Sequence, residues 1–459
     1  MMASLDLAVV AQYLGASYDG GPVALGGAAV DSRRVEAGDL FVAVPGAHVD
    51  GHAYVESAAE RGAIAALTER PVSAPIPCLV VEDSLAALTA LARRNRDAYE
   101  GCVLAITGSC GKTSVKNICR AILSRAGTTV ATRGNYNNEI GVPLTLARLS
   151  DDVRYAVVEM GATGCGDVAY LCDLARPRIS TVLNAMEAHL DGFGSVADVA
   201  DVKAEIYDGL GQDSIAVLSL DSPYSDLWKQ RIEATGARTV SWSLHAPADV
   251  TARDLRDLAT EGTEFELEVD GERAPVRLPL PGRHNVANAL VAAALARSAG
   301  LGVDTIADGM AAAEGEPGRL QHEKLANGLT LIDDSYNANP GSVRAAIDFL
   351  AGAGGRRGLV LGEMLELGPD SRRMHAEMGE RARERGLDLF VGVGAALAPA
   401  VDAFGAGAQL FRDRAELAGS AAELMATCDV LLVKGSRGAA MEHVIADLRA
   451  VAGGGKGSC

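Results

Sequence analysis

Uninterrupted apolar runs, separated by helical stretches, characterise the middle of the chain. They lie at Cys102–Ile106, Tyr155–Glu159, Ile179–Leu183 and Ile215–Leu220. Their apolar residues are consecutive rather than alternating, which is typical of strands buried on both faces of a parallel sheet. Because helical segments lie between the runs, and an alanine-rich helix at Val286–Ser298 follows them, the pattern predicts βαβ units in an α/β fold.

The last third of the chain repeats this alternation, and the first hundred residues carry a shorter version of it. In the last third we predict strands at Leu329–Ile332, Gly358–Leu361, Leu387–Val391 and Val430–Val433, and helices at Ser342–Leu350, Arg372–Arg385, Ala415–Thr427 and Ala439–Val451. In the first hundred residues we predict strands at Asp39–Val44 and Cys78–Val81, and helices at Tyr54–Arg61 and Ser84–Tyr99. We therefore expect three domains, at residues 1–100, 101–315 and 316–459. The last is a doubly wound sheet, and ligands of such sheets bind at the carboxyl ends of the strands.

Composition and charge exclude several classes of function. Apolar residues make up 48% and charged residues 22% of the 459 residues, as in ordinary globular proteins. Aromatic residues make up only 4%, which argues against a platform on which nucleic-acid bases stack. The net charge of −18 repels phosphate backbones and anionic lipid surfaces. We therefore expect no nucleic-acid partner.

The sequence lacks the features that would direct it to a membrane. No run of about eighteen apolar residues occurs, and Met1–Gly21 lacks the basic start of a secretory signal. The eight cysteines are sparse and form no CxxC pair, which disfavours a disulfide scaffold and a zinc ribbon. We expect a cytoplasmic protein with reduced thiols and without an integral membrane segment.

A candidate phosphate-binding loop follows the first of the central strands. It comprises Gly108, Ser109, Cys110, Gly111, Lys112, Thr113 and Ser114, between a buried strand and a helix. In such a loop the glycines let backbone N–H groups converge on phosphate oxygens, Lys112 reaches the β- and γ-phosphates, and the Thr113 hydroxyl binds Mg²⁺. The loop departs from the general GxxxxGK[ST] pattern, because Ile106 stands where the first glycine is expected. The alternative is a glycine-rich turn with an incidental lysine.

Three further residues are candidates for a metal site beside this loop. Glu159 ends the second central strand, and His189 follows the third. A carboxylate and an imidazole at those strand ends could contact Mg²⁺ or its water. Lys203 lies in the helical segment that comes next. In isolation each of the three has an ordinary explanation as a structural or solvent-facing side chain.

The order of these motifs resembles that of the Mur ligase superfamily, the ATP-dependent amide-bond ligases of peptidoglycan precursor synthesis. The resemblance rests on the loop TGSCGKTS, on Glu-Met-Gly at 159–161, and on the stretches 184–194, 203–206, 281–288 and 317–319. Three further stretches, at 134–143, 333–340 and 361–368, resemble the member of the family that accepts a dipeptide. Short N-terminal motifs at 31–34 and 50–52 also fit, so the resemblance covers residues 7–450.

The resemblance implies a domain arrangement, substrates and cofactors. A small α/β N-terminal domain would bind a uridine diphosphate precursor, a central parallel-sheet domain with the phosphate loop would bind ATP, and the C-terminal domain would be Rossmann-like. The implied substrates are UDP-N-acetylmuramoyl-tripeptide and D-alanyl-D-alanine, with ATP and Mg²⁺ as cofactors. We expect the protein to be a monomer.

The resemblance also implies roles for individual residues. Glu159, His189 and Thr113 would hold Mg²⁺, and Lys203 would be carbamylated on its ε-amine, which turns a cation into an anionic ligand. The roles implied for the other positions are a nucleotide or metal-shell contact for Asn138, an adenine contact for Asn288, phosphate and ribose contacts for Arg319 and Asp334, and binding of the uridine diphosphate moiety for Ser32 and Arg33.

The chemistry of an amide ligase accounts for this set of residues. Transfer of the γ-phosphoryl group of ATP to a carboxylate gives an acyl phosphate, and the amine of the acceptor then attacks it and expels phosphate. The protein must position the reactants and neutralise charge, and Lys112 and Arg319 are suited to that task. Because water would hydrolyse the acyl phosphate, the outer domains are expected to close over the central one.

Other enzymes and binding proteins remain alternatives at this point. A Mur ligase that adds a single amino acid, or a folylpolyglutamate synthase-like enzyme, would share the loop. The ligase that adds diaminopimelate or lysine carries Asp-Asn-Pro-Arg, where this chain has Asp-Asp-Ser-Tyr-Asn-Ala-Asn-Pro at 333–340. A phosphate-loop kinase or switch protein would leave the first domain without a role. A catalytically inactive subunit that recruits an amidotransferase would need zinc-binding cysteine pairs or a lost lysine, and the sequence has neither feature.

Overall fold

The N-terminal part of the chain forms a small parallel sheet with helices beside it. The computed structural model describes residues 6–46, 49–187 and 190–453. The strands of the first sheet are β1 (Gly27–Ala29), β2 (Asp39–Val42), β3 (Ala65–Thr68) and β4 (Cys78–Val80), paired in that order. The helices beside it are α1 (Leu7–Leu14), α2 (Val55–Glu60) and α3 (Ser84–Ala98). The four elements predicted here are confirmed, each one or two residues shorter than expected, whereas α1, β1 and β3 were not predicted.

The central part is built on one nine-stranded sheet. Its strands are β5 (Cys102–Thr107), β6 (Thr129–Ala131), β7 (Tyr155–Glu159), β8 (Ile179–Val182), β9 (Ile215–Ser219), β10 (Arg238–Ser243), β11 (Val250–Asp257), β12 (Thr263–Val269) and β13 (Glu272–Leu278). The order across the sheet is β13-β12-β11-β10-β9-β8-β5-β7-β6. All pairs from β6 to β11 are parallel, and β12 and β13 are added antiparallel at one edge.

Helices cover both faces of the parallel part of this sheet. They are α4 (Lys112–Leu123), α5 (Gly141–Leu146), α6 (Asp167–Ala175), α7 (Leu190–Phe193), α8 (Val196–Asp208), α9 (Ser225–Thr235), α10 (Arg283–Ser298) and α11 (Val303–Ala311). Consecutive residues of β5 face opposite cores. Leu104 and Ile106 pack with α4 and α10, whereas Val103 and Ala105 pack with α6 and α8. This double burial explains why the strand is apolar at consecutive positions.

The antiparallel edge of the central sheet was not predicted. Along β12 buried residues alternate with partly buried ones, because only one face of this strand packs on the core. Such a strand carries a period of two rather than a continuous apolar run. A search for uninterrupted apolar runs therefore identifies β5, β7, β8 and β9 and passes over β10 to β13.

The C-terminal part contains a six-stranded sheet. Its strands are β14 (Gln321–Lys324), β15 (Thr330–Asp334), β16 (Arg357–Gly362), β17 (Leu389–Val393), β18 (Ala408–Phe411) and β19 (Val430–Lys434), and its helices are α12 (Pro340–Ala351), α13 (Ser371–Glu384), α14 (Ala398–Phe404), α15 (Arg414–Gly419), α16 (Ala421–Thr427) and α17 (Glu442–Ala452). The order is β14-β15-β19-β16-β17-β18, with β14 antiparallel and the other pairs parallel. Residues on both faces of the sheet are buried, as in a doubly wound fold.

Two predicted helices in this part have different bounds. The helix predicted at Ala415–Thr427 is two helices, α15 and α16, which meet at Ser420 directly after Gly419, a poor helix former. The helix predicted from Ala439 begins only at Glu442, because Ala440 has a positive φ of 49° that a helix does not accept.

Two general properties of the described residues bear on the class of protein. Among residues 6–46, 49–187 and 190–453, none of the helices combines the length and hydropathy needed to cross a bilayer. Seven of the cysteines lie in these ranges, and all seven are free thiols; Cys459 lies outside them.

Candidate functional site

The phosphate loop connects the end of β5 to the start of α4. Gly111 precedes the first residue of α4 with a positive φ of 82°, and a Cβ atom at this position would lie 2.7 Å from Asn288 Oδ1. Both the backbone angle and the space therefore favour glycine here. The Lys112 ammonium group folds back over the loop and donates to the Gly108 carbonyl oxygen over 2.5 Å. The loop thus presents the amino-terminal end of α4 and a lysine to the same space, which is how proteins bind phosphate.

Glu159, at the end of β7, lies directly beside this loop and is only 1% exposed. Its Oε2 accepts a hydrogen bond from the Thr113 hydroxyl over 3.1 Å, and its Oε1 accepts one from Asn137 Nδ2 over 2.7 Å. The ammonium group of Lys116, also buried, lies 3.9 Å from Oε2. The hydroxyl and carboxylate oxygens brought together here are hard ligands of the kind that Mg²⁺ prefers. The residues present therefore fit a magnesium ion.

Lys203 lies on α8 and is buried. Its side chain is 3% exposed and has no hydrogen bond or ion pair with any residue in the described part of the chain. Burial lowers the pKa of Lys203 to about 7, and the positive charge of Lys112 acts in the same direction. An uncharged amine is therefore accessible at neutral pH. His189, the fourth predicted metal ligand, lies outside the described residues.

One cavity of about 890 Å³ contains most of the predicted site. The predicted residues that line it are Gly108, Ser109, Cys110, Gly111, Lys112, Thr113, Ser114, Asn138, Glu159, Lys203, Asn288, Arg319 and Asp334. Its walls come from both the central and the C-terminal sheets. The structure therefore brings together residues that are as far apart in the sequence as Gly108 and Asp334.

The C-terminal part contributes a cluster of charged and aromatic side chains to this cavity. Arg319 Nη2 donates to Thr113 Oγ1 over 3.1 Å, and its guanidinium carbon lies 4.2 Å from the centre of the Tyr336 ring. Asp334, at the end of β15, accepts a 2.6 Å hydrogen bond from Lys434 Nζ at the end of β19. These contacts place a guanidinium group against the threonine of the phosphate loop.

For three of the predicted residues, the contacts seen in the structure limit the roles that were predicted for them. The Asn138 amide oxygen accepts the backbone N–H groups of Ile140 and Gly141 over 3.3 and 3.1 Å, so this oxygen is already hydrogen-bonded to the backbone next to α5. Ser32 is buried, and the Arg33 side chain is 81% exposed and paired with Asp31. Neither Ser32 nor Arg33 lines the cavity. The nucleotide and precursor contacts predicted for these positions stay predictions.

Several residues of the site were not singled out from the sequence. They are Lys116 and Asn137, which contact Glu159, and Tyr336 and Lys434, which contact Arg319 and Asp334. Lys116 lies one helical turn after Lys112, and Lys434 directly follows the strand predicted at Val430–Val433, so the sequence carried a signal for both. Nothing in the sequence distinguishes Asn137 from its neighbour Asn138.

Comparisons with known proteins agree with this geometry. Three family profiles match: "Mur ligase family, catalytic domain" over residues 26–96, "Mur ligase middle domain" over 106–296, and "Mur ligase, glutamate ligase domain" over 318–437. The UDP-N-acetylmuramoyl-tripeptide–D-alanyl-D-alanine ligase of Escherichia coli (strain K12) is 42% identical, and the alignment covers 98% of this chain and 99% of that protein. The protein of the same name from Mycobacterium tuberculosis (strain ATCC 25618 / H37Rv) is 36% identical over 79% of this chain and 76% of its own length.

Solved structures share the fold of this chain. A crystal structure of MurF from Acinetobacter baumannii aligns with a TM-score of 0.85 at 33% identity, over 96% of this chain and 97% of its own. The MurF ligase of Thermotoga maritima in complex with ADP aligns with a TM-score of 0.77 at 28% identity, over 93% of this chain and 98% of its own. The resemblance found in the sequence is thereby confirmed, and the chain belongs to the Mur ligase family, in the branch of the UDP-N-acetylmuramoyl-tripeptide–D-alanyl-D-alanine ligases.

Proposed function

We propose that this protein joins D-alanyl-D-alanine to UDP-N-acetylmuramoyl-tripeptide in an ATP-dependent reaction that releases ADP and phosphate. This reaction is the last cytoplasmic step of peptidoglycan precursor synthesis. The observation that carries the proposal is the single cavity in which the phosphate loop, Glu159 and Arg319 meet. The near full-length similarity to relatives of that name supports the choice of substrates.

The proposed reaction has two steps on the substrates. The tripeptide carboxylate attacks the γ-phosphorus of ATP, ADP leaves, and an acyl phosphate forms. The amine of D-alanyl-D-alanine then attacks the acyl carbon, and the tetrahedral intermediate expels phosphate and loses a proton. Lys112 and Arg319 stabilise the negative charge that accumulates on the transferred group. The C-terminal wall of the cavity excludes the water that would hydrolyse the acyl phosphate.

We assign the metal site to Thr113, Glu159, His189 and Lys203. When bound there, Mg²⁺ neutralises phosphate charge and polarises the transferred group. Glu159 and Thr113 supply oxygen ligands that already lie within hydrogen-bonding distance of each other. Lys203 as an ammonium would repel a cation. We therefore propose that its amine adds to CO₂ and loses a proton, which gives a carbamate, and its lowered pKa favours this addition.

The remaining roles are proposals of the same kind. Asn288 contacts the adenine, and Asp334 and Arg319 contact the ribose and phosphates from the C-terminal side. Asn138 contributes through its amide nitrogen, since its oxygen accepts the Gly141 N–H. Ser32 and Arg33 bind the uridine diphosphate moiety in the N-terminal domain. We also propose domain boundaries near residues 100 and 315, which the matched family ranges support, a monomer as the acting form, and a cytoplasmic location where ATP is supplied.

The identity of the acceptor is the decisive test. Phosphate release is measured with ATP, Mg²⁺ and the tripeptide nucleotide, and with D-alanyl-D-alanine, glutamate, lysine or diaminopimelate as the acceptor. We expect sustained release only with the dipeptide, and the Lys112→Ala protein supplies the background rate. Equal release with a single amino acid would assign the chain to another ligase of the family. Turnover of ATP without the tripeptide nucleotide would favour a kinase or switch protein.

A further inference from the structure

The segment of residues 184–187 holds the phosphate loop from one side. The Ser109 N–H donates to the Asn184 carbonyl oxygen over 3.2 Å, and the Cys110 N–H donates to Asn184 Oδ1 over 3.0 Å. The Asn184 side-chain amide donates back to the Cys110 carbonyl oxygen over 3.2 Å. The Met186 N–H donates to Ser109 Oγ over 3.0 Å. These four hydrogen bonds therefore join Ser109 and Cys110 of the loop to this segment.

The same segment also contacts the C-terminal domain, at the start of α12. Arg344 Nη2 donates to Glu187 Oε2 over 2.7 Å. Gly341 lies so close to Met186 that an added Cβ atom would be 2.5 Å from the Met186 sulfur. The two contacts lie within one turn of α12, so the start of this helix packs directly against segment 184–187.

The exposure of the ion pair suits a contact that opens and re-forms. The side chains of Arg344 and Glu187 are 31% and 27% exposed. At that exposure each charge keeps water when the pair separates, so the cost of opening is modest. Both domains line the cavity in which we place the nucleotide, so the distance between them sets whether their groups can contact the nucleotide at the same time. Neither Arg344 nor Glu187 lines the cavity itself.

On the basis of the proposed function, we propose that Glu187 and Arg344 are positioning residues for the nucleotide. Their ion pair holds the C-terminal domain against the central one. Segment 184–187, which is hydrogen-bonded to Ser109 and Cys110, thereby fixes the position of the phosphate loop relative to the C-terminal domain. The affinity measured for a nucleotide is the intrinsic affinity multiplied by the fraction of protein in the docked arrangement. Loss of the pair therefore weakens nucleotide binding without removing any group that touches the nucleotide.

The test uses four variants and two readouts. The variants are Glu187→Gln, Arg344→Gln, the double variant, and the charge exchange Glu187→Arg with Arg344→Glu. Calorimetry gives the Kd for ADP, and steady-state kinetics give the KM for ATP and for the tripeptide nucleotide. We expect each single variant to raise the Kd for ADP and the KM for ATP about five- to tenfold, the usual effect of losing a half-buried charged hydrogen bond. The KM for the tripeptide nucleotide is expected to change less than twofold.

The coupling between the two residues separates positioning from general stability. The double variant is expected to be no weaker than either single variant, and the charge exchange to recover affinity to within about threefold of the wild type. The matched control is Arg381→Gln. Arg381 is also 31% exposed and pairs with Asp348 over 2.5 Å, but this pair joins α12 to α13 inside the C-terminal domain. We expect that control to bind ADP normally.

Three results would overturn the proposal: single variants with unchanged Kd, effects that multiply in the double variant, or an equal loss in Arg381→Gln. A further variant, Gly341→Ala, tests the docking without altering a charge, and unchanged affinity in that variant would also count against the proposal. If the wild-type protein binds no ADP, the proposed function itself fails. Failure of the ion-pair proposal alone leaves wild-type ADP binding intact.

Discussion

The burial of Lys203 predicts that this active-site lysine lowers the free energy of unfolding of the protein. Replacing the lysine by methionine keeps a long unbranched side chain and removes the charge. Because the folded protein disfavours the ammonium form, Lys203→Met is expected to be more stable than the wild type at neutral pH while losing most of its ligase activity. A substitution in an active site that raises the melting temperature is a sharp prediction, since most substitutions destabilise.

The size of the effect follows from the pKa values. In the unfolded chain Lys203 titrates near 10.5, and in the folded protein its pKa is about 7. Between these values the unfolded chain binds a proton that the folded protein does not, so stability rises with pH across the window from 7 to 10.5. At about 1.36 kcal/mol per pH unit, the buried lysine costs about 4 kcal/mol at pH 7 and about 2 kcal/mol at pH 9. These figures correspond to about 8 °C and about 4 °C in the melting temperature of a domain of roughly 200 residues.

The assay is thermal melting in buffers stripped of CO₂, at pH 7 and pH 9. Stripping prevents carbamylation of the wild-type lysine, which would relieve the same cost. The matched control is Lys229→Met, at a lysine of the central domain that is 60% exposed. We expect the gain in Lys203→Met to shrink by about half between pH 7 and pH 9 and the control to show no pH-dependent gain. A melting temperature at or below that of the wild type at both pH values would refute the reasoning.

Two further predictions concern catalysis. Lys112→Ala is expected to lower kcat by two or more orders of magnitude in a protein that still folds, because a fixed positive charge at the transferred phosphate is lost; near-normal turnover would contradict the phosphate-loop assignment. Lys203→Ala is expected to lose most activity and to regain part of it with excess acetate or formate, which fill the vacated space with a carboxylate. Lys203→Arg is expected to gain nothing from these acids, because a guanidinium group cannot be carbamylated and occupies the space. Full activity of Lys203→Arg would remove this residue from the metal site.

The parallel core and the phosphate loop could be predicted from the sequence because their signals are local. A strand buried on both faces must be apolar at consecutive positions, and a loop that binds phosphate needs glycines and a lysine at short spacing. Those constraints act within ten residues, so β5, β7, Gly111 and Lys112 could be identified from the sequence. The edge strands β12 and β13 are buried on one face only, and their weaker, alternating pattern was passed over.

Only the tertiary structure decided which distant residues meet and which charges are buried. The sequence shows an arginine at 319 and a threonine at 113, but their 3.1 Å contact depends on how the C-terminal sheet docks on the central one. Nothing local distinguishes Lys203, buried on α8, from the exposed Lys229 on α9. The pKa of Lys203 and the ion pair between Glu187 and Arg344 both depend on packing between elements that are remote in the chain. The desolvation of a side chain and the docking of two domains are properties of the assembled fold. For that reason neither can be predicted from the spacing of residues along the sequence.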